Sequence, residues 1–404
     1  MCQELFTEIS ANALRRIAAK CLEQVCVSLR QFRLVFFLTL VSSSSSLVHG
    51  AEAPHLPFTL AWIHGICKHC ETAQTLEDLQ FLGPDNAWGI GYRPPGETGA
   101  GDYVIVHSSN GGRTWTELPA SYEHNASPHI SFSNRQGWAE VFDVVNAETR
   151  VIQTADGGSH WRQLAPRDWF WYLRDIQSLG GGLGFAYSDG PDRTQGYLWG
   201  TRDNGRHWSK SALPAGFQAD HMTFVNARQG FLAGCLNQRI AVARTSDGGL
   251  HWRTTPLDLP PAGAPLTNEC LFHVDTLMLL DMQHAWLLLR KQFFHDPDEQ
   301  GIIVVSRTTD GGATWKTAFQ DSFPESRKTY GTVHFLSERV GFLSKRENIA
   351  GLQPTASLLY TTDGGDTWVP MEVARFVSSC RESSGSLTCA SEDFWILKVS
   401  THKQ

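Results

Sequence analysis

The sequence predicts an all-β fold built from repeated four-stranded units, and two recurring patterns carry that prediction. The first is an eight-residue phrase that occurs six times between residues 108 and 368. It has a hydroxyl residue at position 1, Asp or Asn at position 3, Gly at position 5 and Trp at position 8. Regular repetition fixes an architecture more firmly than any single residue. The copies are SSNGGRTW, TADGGSHW, TRDNGRHW, TSDGGLHW, TTDGGATW and TTDGGDTW, ending at Trp115, Trp161, Trp208, Trp252, Trp315 and Trp368.

The phrase is typical of a tight turn between two strands. The residue at position 3 accepts hydrogen bonds from backbone N–H groups, and Gly then adopts a positive φ. Trp falls on the outgoing strand, where its ring covers buried side chains. Six copies of one catalytic acid would be redundant, so we interpret the residues at position 3 as structural. They are Asn110, Asp156, Asp203, Asp247, Asp310 and Asp363.

The second pattern precedes each phrase: an apolar strand, a short polar turn, then Gly or Ala before an aromatic residue. FVNARQGFLAG (224–234) and FLSERVGFLS (335–344) are examples. Together the two patterns give four short antiparallel strands per unit, repeated radially, which is the composition of a β-propeller blade. The six units cover 76–118, 128–164, 173–211, 220–255, 271–318 and 329–371.

Strand-like segments outside these units predict how the ring closes. Residues 58–66 lie ahead of the units, and residues 374–380 and 394–400 follow them. Left unpaired, these segments would expose open sheet edges. Pairing of the N- and C-terminal strands makes a composite seventh blade, so we favour seven blades, with six as the alternative.

The first 50 residues predict a leader that precedes the propeller. Arg30 and Arg33 come before the apolar run 34–41, which is too short to span a bilayer but matches the core of a secretory signal. We expect residues 1–50 to be a leader with a secretory signal and residues 51–404 to form one propeller domain, periplasmic or extracellular. Translation from Val27 or Leu29 and an uncleaved membrane anchor remain open.

Charge and cysteine content narrow the classes of partner. The net charge of −7 argues against a nucleic-acid partner.

Six of the nine cysteines follow the leader, which suits an oxidising compartment. A metal site at Cys67 and Cys70 would lack a second Cys pair, so we expect neither a metal nor a cofactor. The disulfide candidates are Cys67 with Cys70, Cys235 with Cys270, and Cys380 with Cys389.

The six phrases resemble the Asp-box, or BNR, repeat of sialidases, sortilin-type receptors, xyloglucanases and the photosystem II assembly and stability factor family. The pairing of each box with an upstream F-x(5–7)-G-aromatic pattern, over residues 76–371, is most similar to the last of these. The resemblance implies a propeller that assembles or stabilises a partner complex, in the envelope or in photosynthesis. It implies no particular chemistry, because these families share a turn and not an activity.

The four strands of a unit are A to D in chain order, and the box is the turn between C and D. Alternating strand direction therefore places the B–C loops and the blade-to-blade connections on the face opposite the boxes, where binding sites usually develop. The most suggestive of these segments is RDWFWYLRD (167–175), whose rings and guanidinium groups can form a platform for a partner. The alternative is that its rings pack into the next blade and cover the central channel. The candidate partner-binding residues are Arg93, Arg167, Trp169, Trp171, Tyr172, Arg174, Arg290 and Arg346.

A sialidase-like glycoside hydrolase is the alternative function. It needs three arginines around a substrate carboxylate, an acid such as Asp102, and a nucleophile such as Tyr330 beside Glu325. The F/Y-R-I-P motif that opens sialidases is missing, and Tyr92-Arg93-Pro94-Pro95 is a poor substitute. The sequence favours a monomeric, non-catalytic scaffold for a protein or peptide partner in the envelope, with glycan processing or binding as the alternative. No membrane span is expected beyond the signal segment.

Overall fold

Seven β-sheets make up the part of the chain that the structure, a computed structural model, describes. That part is residues 58–68, 75–93, 102–118, 125–143, 148–164, 173–190, 195–260, 270–291, 300–324, 328–347, 355–383, 386–391 and 395–401. Each sheet is a four-stranded antiparallel blade, and one blade carries an extra edge strand. The predicted all-β fold and the choice of seven blades over six are confirmed. Within these residues no helix has the length and apolar character needed to cross a bilayer.

Strands A to D of each blade follow one another outward, and A is innermost. Two strands precede the first complete blade: β1 (Phe58–His64) and β2 (Ile66–Lys68). Blade 1 is β3 (Thr75–Leu82), β4 (Asn86–Arg93), β5 (Asp102–Ser108) and β6 (Thr114–Glu117). Blade 2 is β7 (Asn125–Ser133), β8 (Gln136–Asp143), β9 (Glu148–Thr154) and β10 (Arg162–Gln163). Blade 3 is β11 (Leu173–Gly180), β12 (Leu183–Asp189), β13 (Gly196–Thr201) and β14 (Ser209–Ala212).

The remaining blades keep the same order. Blade 4 is β15 (Phe217–Phe224), β16 (Gly230–Leu236), β17 (Arg239–Thr245) and β18 (Arg253–Pro256). Blade 5 is β19 (Phe272–Leu279), β20 (Ala285–Lys291), β21 (Gln300–Thr308) and β22 (Lys316–Pro324). Blade 6 is β23 (Lys328–Phe335), β24 (Gly341–Glu347), β25 (Thr355–Thr361) and β26 (Val369–Val373). Blade 7 is β27 (Val377–Ser383), β28 (Ser386–Ser391), β29 (Trp395–Thr401) and the N-terminal β1.

The N-terminal strand closes the ring, as predicted. β1 pairs antiparallel with β29 from Phe58 opposite Thr401 to His64 opposite Trp395, so the C-terminal strand has no open edge. Each inner strand contacts the inner strand of the next blade, and β27 of blade 7 contacts β3 of blade 1. After β1 the chain crosses to blade 1, where β2 pairs parallel with β6. The N-terminal segment therefore holds the last blade and the first blade together.

The second sequence pattern forms the layers between blades. Its aromatic residue on strand B stacks on the Phe that ends strand A of the next blade: Trp286 on Phe335, with ring centroids 3.7 Å apart, is one example. Phe185 on Phe224 is another, also at 3.7 Å. The Gly of the pattern makes room for this Phe, because a Cβ on Gly341 would lie 2.4 Å from the Phe335 ring. At these boundaries two aromatic rings from neighbouring blades stack, and the Phe ring also packs against the backbone of a glycine.

The box forms the C–D turn. In blade 5 the Thr308 hydroxyl donates to Asp310 Oδ1 at 2.8 Å and accepts the N–H of Gly312 at 2.9 Å. Asp310 Oδ1 also accepts the N–H of Thr314, and its Oδ2 accepts the Thr314 hydroxyl at 2.6 Å. In blades 2, 3 and 4 a histidine replaces Thr314, and its Nδ1 makes the same contact with the aspartate at 2.6–2.7 Å. The hydroxyl and carboxylate groups at positions 1 and 3 are therefore used within the turn.

The boxes also hold the A–B turns of their own blades. The N–H of Gly311 donates to the Gln283 carbonyl at 2.9 Å, and the same bond recurs in blades 1, 2, 3, 4 and 6. Neighbouring blades are attached here too, because Arg244 of blade 4 donates to the Gly311 carbonyl at 2.6 Å. Boxes and A–B turns lie at one end of the blades, the box face. B–C loops and blade-to-blade connections lie at the other end, which we name the loop face.

Candidate functional site

The inner strands are irregular at the same place in all seven blades. β11 shifts register between Leu173 and Asp175, β15 between Ala219 and His221, and β19 between Val274 and Thr276. The four other inner strands shift at a corresponding point. A bulge changes the direction in which a side chain points. Each inner strand begins at the loop face, and in blades 3, 4 and 5 the bulged residue is polar: Arg174, Asp220 and Asp275.

Two carboxylates at or next to these bulges link blades 3, 4 and 5. Asp175 Oδ2 accepts the backbone N–H of Met222 at 3.3 Å, and Asp220 Oδ2 accepts that of Val274 at 3.0 Å. The inner edge of a blade has no further strand to receive its N–H groups, and an unpaired edge is costly when it is enclosed. Each carboxylate therefore satisfies an edge donor of the next blade and fixes the spacing of the three blades.

Two arginines of blades 3 and 5 project at this end of the molecule, and each is held by a nearly buried aspartate. Arg174 Nε lies 2.7 Å from Asp189 Oδ2, and Arg290 Nη2 lies 2.9 Å from Asp275 Oδ1. About half of each arginine side chain is exposed, 52% and 54%, against 11% and 12% for the aspartates. A guanidinium group has five N–H donors. Both groups are fixed in direction and keep donors that face solvent.

Tyr187, a buried residue, holds the aspartate of the Arg174–Asp189 pair in place. Its hydroxyl donates to Asp189 Oδ1 at 2.7 Å and accepts the N–H of Ala219 in blade 4 at 3.1 Å. Burial and the neighbouring Asp189 carboxylate raise the pKa of Tyr187 well above its ordinary value. The ring therefore stays neutral and keeps donating its proton to Asp189. Asp189 and the half-exposed arginine are both oriented by a group that does not itself reach solvent.

Two histidines lie between the arginine pairs and have opposite electrostatic surroundings. His273 Nδ1 contacts Asp220 Oδ2 at 3.1 Å, and this hydrogen bond raises the pKa of His273. Burial lowers the pKa of His221, although Asp175 and Asp220 act in the other direction. The site therefore combines one imidazole whose pKa is raised with one whose pKa is lowered. With the two arginines, it presents donors on three consecutive blades.

Two of the predicted partner-binding residues, Arg174 and Arg290, belong to this cluster. Arg346 lies apart from it, in blade 6, with its guanidinium carbon 4.9 Å from the centroid of the Phe376 ring. The described backbone includes Arg93 at the end of β4, but its side chain lies outside the described residues. Arg167, Trp169, Trp171 and Tyr172 also lie outside them. The platform predicted over residues 167–175 thus stays a prediction, and its described end is Arg174.

The residues proposed for a hydrolase show a different arrangement where they are described. The Tyr330 hydroxyl donates to Asp321 Oδ2 at 2.5 Å, and burial with this bond raises the pKa of Tyr330. Lys328 Nζ contacts the same oxygen at 2.7 Å. A tyrosine nucleophile needs a base that removes its proton, and the carboxylate in contact with this hydroxyl is Asp321. Glu325 and the side chain of Asp102 lie outside the described residues.

The cysteine and metal expectations concern other parts of the molecule. Disulfide bonds join Cys235 to Cys270 and Cys380 to Cys389. The side chains of Cys67 and Cys70 lie outside the described residues. The sequence interpretation overlooked one group on the box face: ligand atoms of Asp281, His284 and Glu338 lie within 4.8 Å of one another. These three residues come from the A–B turns of blades 5 and 6. Their proximity depends on how the two blades pack, so the spacing of the residues in the sequence does not indicate it.

Solved structures share this architecture. The chain matches no protein-family model and none of the curated proteins. It is similar to YCF48 bound to D1 peptide, with 16% identity, a TM-score of 0.55, and coverage of 87% of this chain and 99% of the other. It is also similar to YCF48 from Cyanidioschyzon merolae, with 14% identity and a TM-score of 0.55. That match covers 84% of this chain and 99% of the other. A GH74 xyloglucanase from Xanthomonas campestris is similar with 12% identity and a TM-score of 0.51. That match covers 83% of this chain but 53% of the enzyme. At these identities the similarity shows the fold.

Proposed function

We propose that this propeller is an exported, non-catalytic scaffold that binds a protein or peptide partner through the loop face of blades 3 to 5. The observation that carries the proposal is the pair of half-exposed arginines, Arg174 and Arg290, each held by a nearly buried aspartate. Arginines that are already oriented lose little freedom when a partner binds. Enough donors remain to meet the carboxylates and main-chain carbonyls of a peptide.

The similarity to solved propellers supports the same proposal. YCF48, whose solved structure holds a peptide, matches this chain over 99% of its own length. The GH74 enzyme has about twice the matched length, so this chain spans about half of it. The carboxylate that the Tyr330 hydroxyl contacts is Asp321, whose same oxygen also contacts Lys328. A binding role needs only the arginine pairs as they stand.

The test is capture of a partner from an envelope extract by the purified protein and its variants. Wild type, the double variant Arg174→Gln with Arg290→Gln, and the control Arg228→Gln are compared. Arg228 is exposed in the A–B turn of blade 4, on the box face. The double variant should lose the captured partner by at least tenfold because two charge-assisted contacts are removed. The control should retain it.

Two results would contradict the proposal. Equal capture by wild type and the double variant would show that the arginine pairs do not form the site. Cleavage or tight binding of an oligosaccharide that the double variant loses would instead assign the same face to glycans. Loss of folding in the double variant would appear as a changed unfolding midpoint, and the single variants would then replace it.

A further inference from the structure

The box face carries an uneven distribution of charge. We count the charged residues in the A–B turns, the boxes and the two residues after each box tryptophan. Blades 2, 3 and 4 hold three acidic residues, one per box, and seven basic ones, a formal charge of +4. The corresponding segments of blades 1, 5 and 6 hold three basic and seven acidic residues, a formal charge of −4. The basic arc consists of Arg135, Arg162, Arg202, Arg206, Arg228 and Arg253, all of which are exposed. Lys210 is left out of the arc, because its ammonium lies 3.5 Å from the centroid of the Tyr197 ring, at the loop-face end of β13.

Exposed apolar side chains lie in the same arc. Among the described residues three large apolar side chains are exposed, and two of them belong to blade 4: Leu250, 71% exposed, and Val225, 46% exposed. Leu250 occupies position 6 of its box, and Val225 lies in the A–B turn. Val225 is close in sequence to Arg228, and Leu250 is close to His251 and Arg253. The arc therefore combines spread positive charge with apolar side chains that reach into solvent.

The fold does not require these residues. Position 6 of the box is Arg113, Ser159, Arg206, Ala313 or Asp366 in the other blades, and each of those boxes forms the same turn. Leucine at this position is thus not demanded by the turn. The first residue after the box tryptophan is likewise Arg253 in blade 4 but Val369 in blade 6. A role in binding explains side chains that folding leaves free to vary.

We infer that the box face of blades 2 to 4 docks on the surface of an anionic lipid bilayer, with the basic arc against headgroups and Leu250 inserted between them. Basic residues near an anionic membrane each add to binding, and apolar side chains add to it by entering the interface. A soluble polyanion would use the charges but would leave Leu250 and Val225 without a role. The acidic segments of blades 1, 5 and 6 orient the molecule, because an anionic surface repels them.

The arc belongs to the face opposite Arg174 and Arg290, so the inference is independent of the proposed function. A molecule docked in this way keeps its loop face directed away from the bilayer. Variants of Arg174 and Arg290 should consequently bind vesicles as wild type does. Variants of the arc should still capture the loop-face partner in solution.

The experiment measures cosedimentation of the purified protein with vesicles of phosphatidylcholine, alone or mixed with phosphatidylglycerol. Wild type should bind the mixed vesicles and not the neutral ones, and added salt should weaken the binding. Arg253→Gln should reduce affinity about fivefold, the effect of one basic residue near the surface. Lys316→Gln is the matched control, since Lys316 is exposed at the same position in blade 5. It should leave the affinity unchanged.

A second pair of variants tests insertion. Leu250→Ala, which copies Ala313 of blade 5, should reduce affinity about tenfold, whereas Val369→Ala in blade 6 should have no effect. Equal binding to neutral and mixed vesicles, or none to either, would overturn the inference. So would equal losses from Arg253→Gln and Lys316→Gln. Wild-type affinity in Leu250→Ala, with tight binding to dextran sulfate, would assign the arc to a soluble polyanion instead.

Discussion

Gly341 offers the sharpest test of how the blades pack. An alanine Cβ there would lie 2.4, 2.5 and 2.6 Å from three carbons of the Phe335 ring. Carbon atoms pack best at about 3.5–4.0 Å, so the ring would have to move by about 1 Å. Phe335 is fully buried, and its other side stacks on Trp286 at 3.7 Å. The ring therefore has no space to move into.

The expected effect of Gly341→Ala follows from these distances. Overpacking of this kind costs about 1–3 kcal/mol. The gain from restricting the unfolded chain offsets about 0.5–1 kcal/mol of that cost. Three ring carbons lie under 3.0 Å from the new Cβ, so the overpacking cost falls in the upper half of its range. We expect a net loss of about 1–2 kcal/mol in the free energy of unfolding, measured from urea unfolding curves. The control is Gly200→Ala, whose Cβ would lie at an ordinary 3.4 Å from Phe185 and Ser209. It should be neutral or slightly stabilising.

A second substitution checks the cause. Phe335→Leu removes ring atoms that clash with the new methyl group, so Gly341→Ala should cost less in the Phe335→Leu background than in wild type. The reasoning is refuted if Gly341→Ala is as stable as wild type or if Gly200→Ala loses as much. Strictly additive costs for Gly341→Ala and Phe335→Leu would also refute it.

Three further predictions concern the ends, the disulfide and the boxes. Reduction of Cys235–Cys270, which spans 35 residues, should lower the free energy of unfolding by about 3–4 kcal/mol, and an unchanged urea midpoint in the double Cys→Ala variant would contradict this. Deletion of residues 1–68 removes the partner of β29, so the protein should sediment as aggregates at concentrations where the full chain does not. Backbone bonding by His207 and hydroxyl bonding by Thr314 lower the pKa values of Asp203 and Asp310 from 3.8 to about 2. Their contribution to stability is complete above pH 3.8 and should disappear as the pH falls through about 2. A urea midpoint that stays constant over that interval would contradict this prediction.

The repeats made most of the fold predictable. The box and the Gly-aromatic pattern specify local turns and strand order, and closure by β1 follows from the cost of open edges. The stacking of Trp286 on Phe335 was not predictable in the same way, because the two rings belong to different blades. Neither was the pairing of β2 with β6, since a three-residue strand carries no periodic signal.

The candidate site was predictable in part. The B–C loops and connections could be assigned to one face, and this selected Arg174 and Arg290. The pairing of Arg174 with Asp189 depends on the β11–β12 register, which a bulge shifts by one residue. His221 and His273 were missed because their neighbours come from adjacent blades. A usable signal existed in the acidic residue at the bulge of blades 4 and 5, Asp220 and Asp275, and directly after the bulge of blade 3, Asp175.

The central claim is that a partner binds at the loop face of blades 3 to 5, and site-specific photo-crosslinking tests it most directly. A photoreactive residue would replace Ala215, which is exposed in the connection from blade 3 to blade 4, or Ser246, which is exposed in the box of blade 4. Irradiation in an envelope extract should link the partner to the protein labelled at position 215 and not to that labelled at position 246. Crosslinking at position 246 alone would place the partner on the box face and contradict the account.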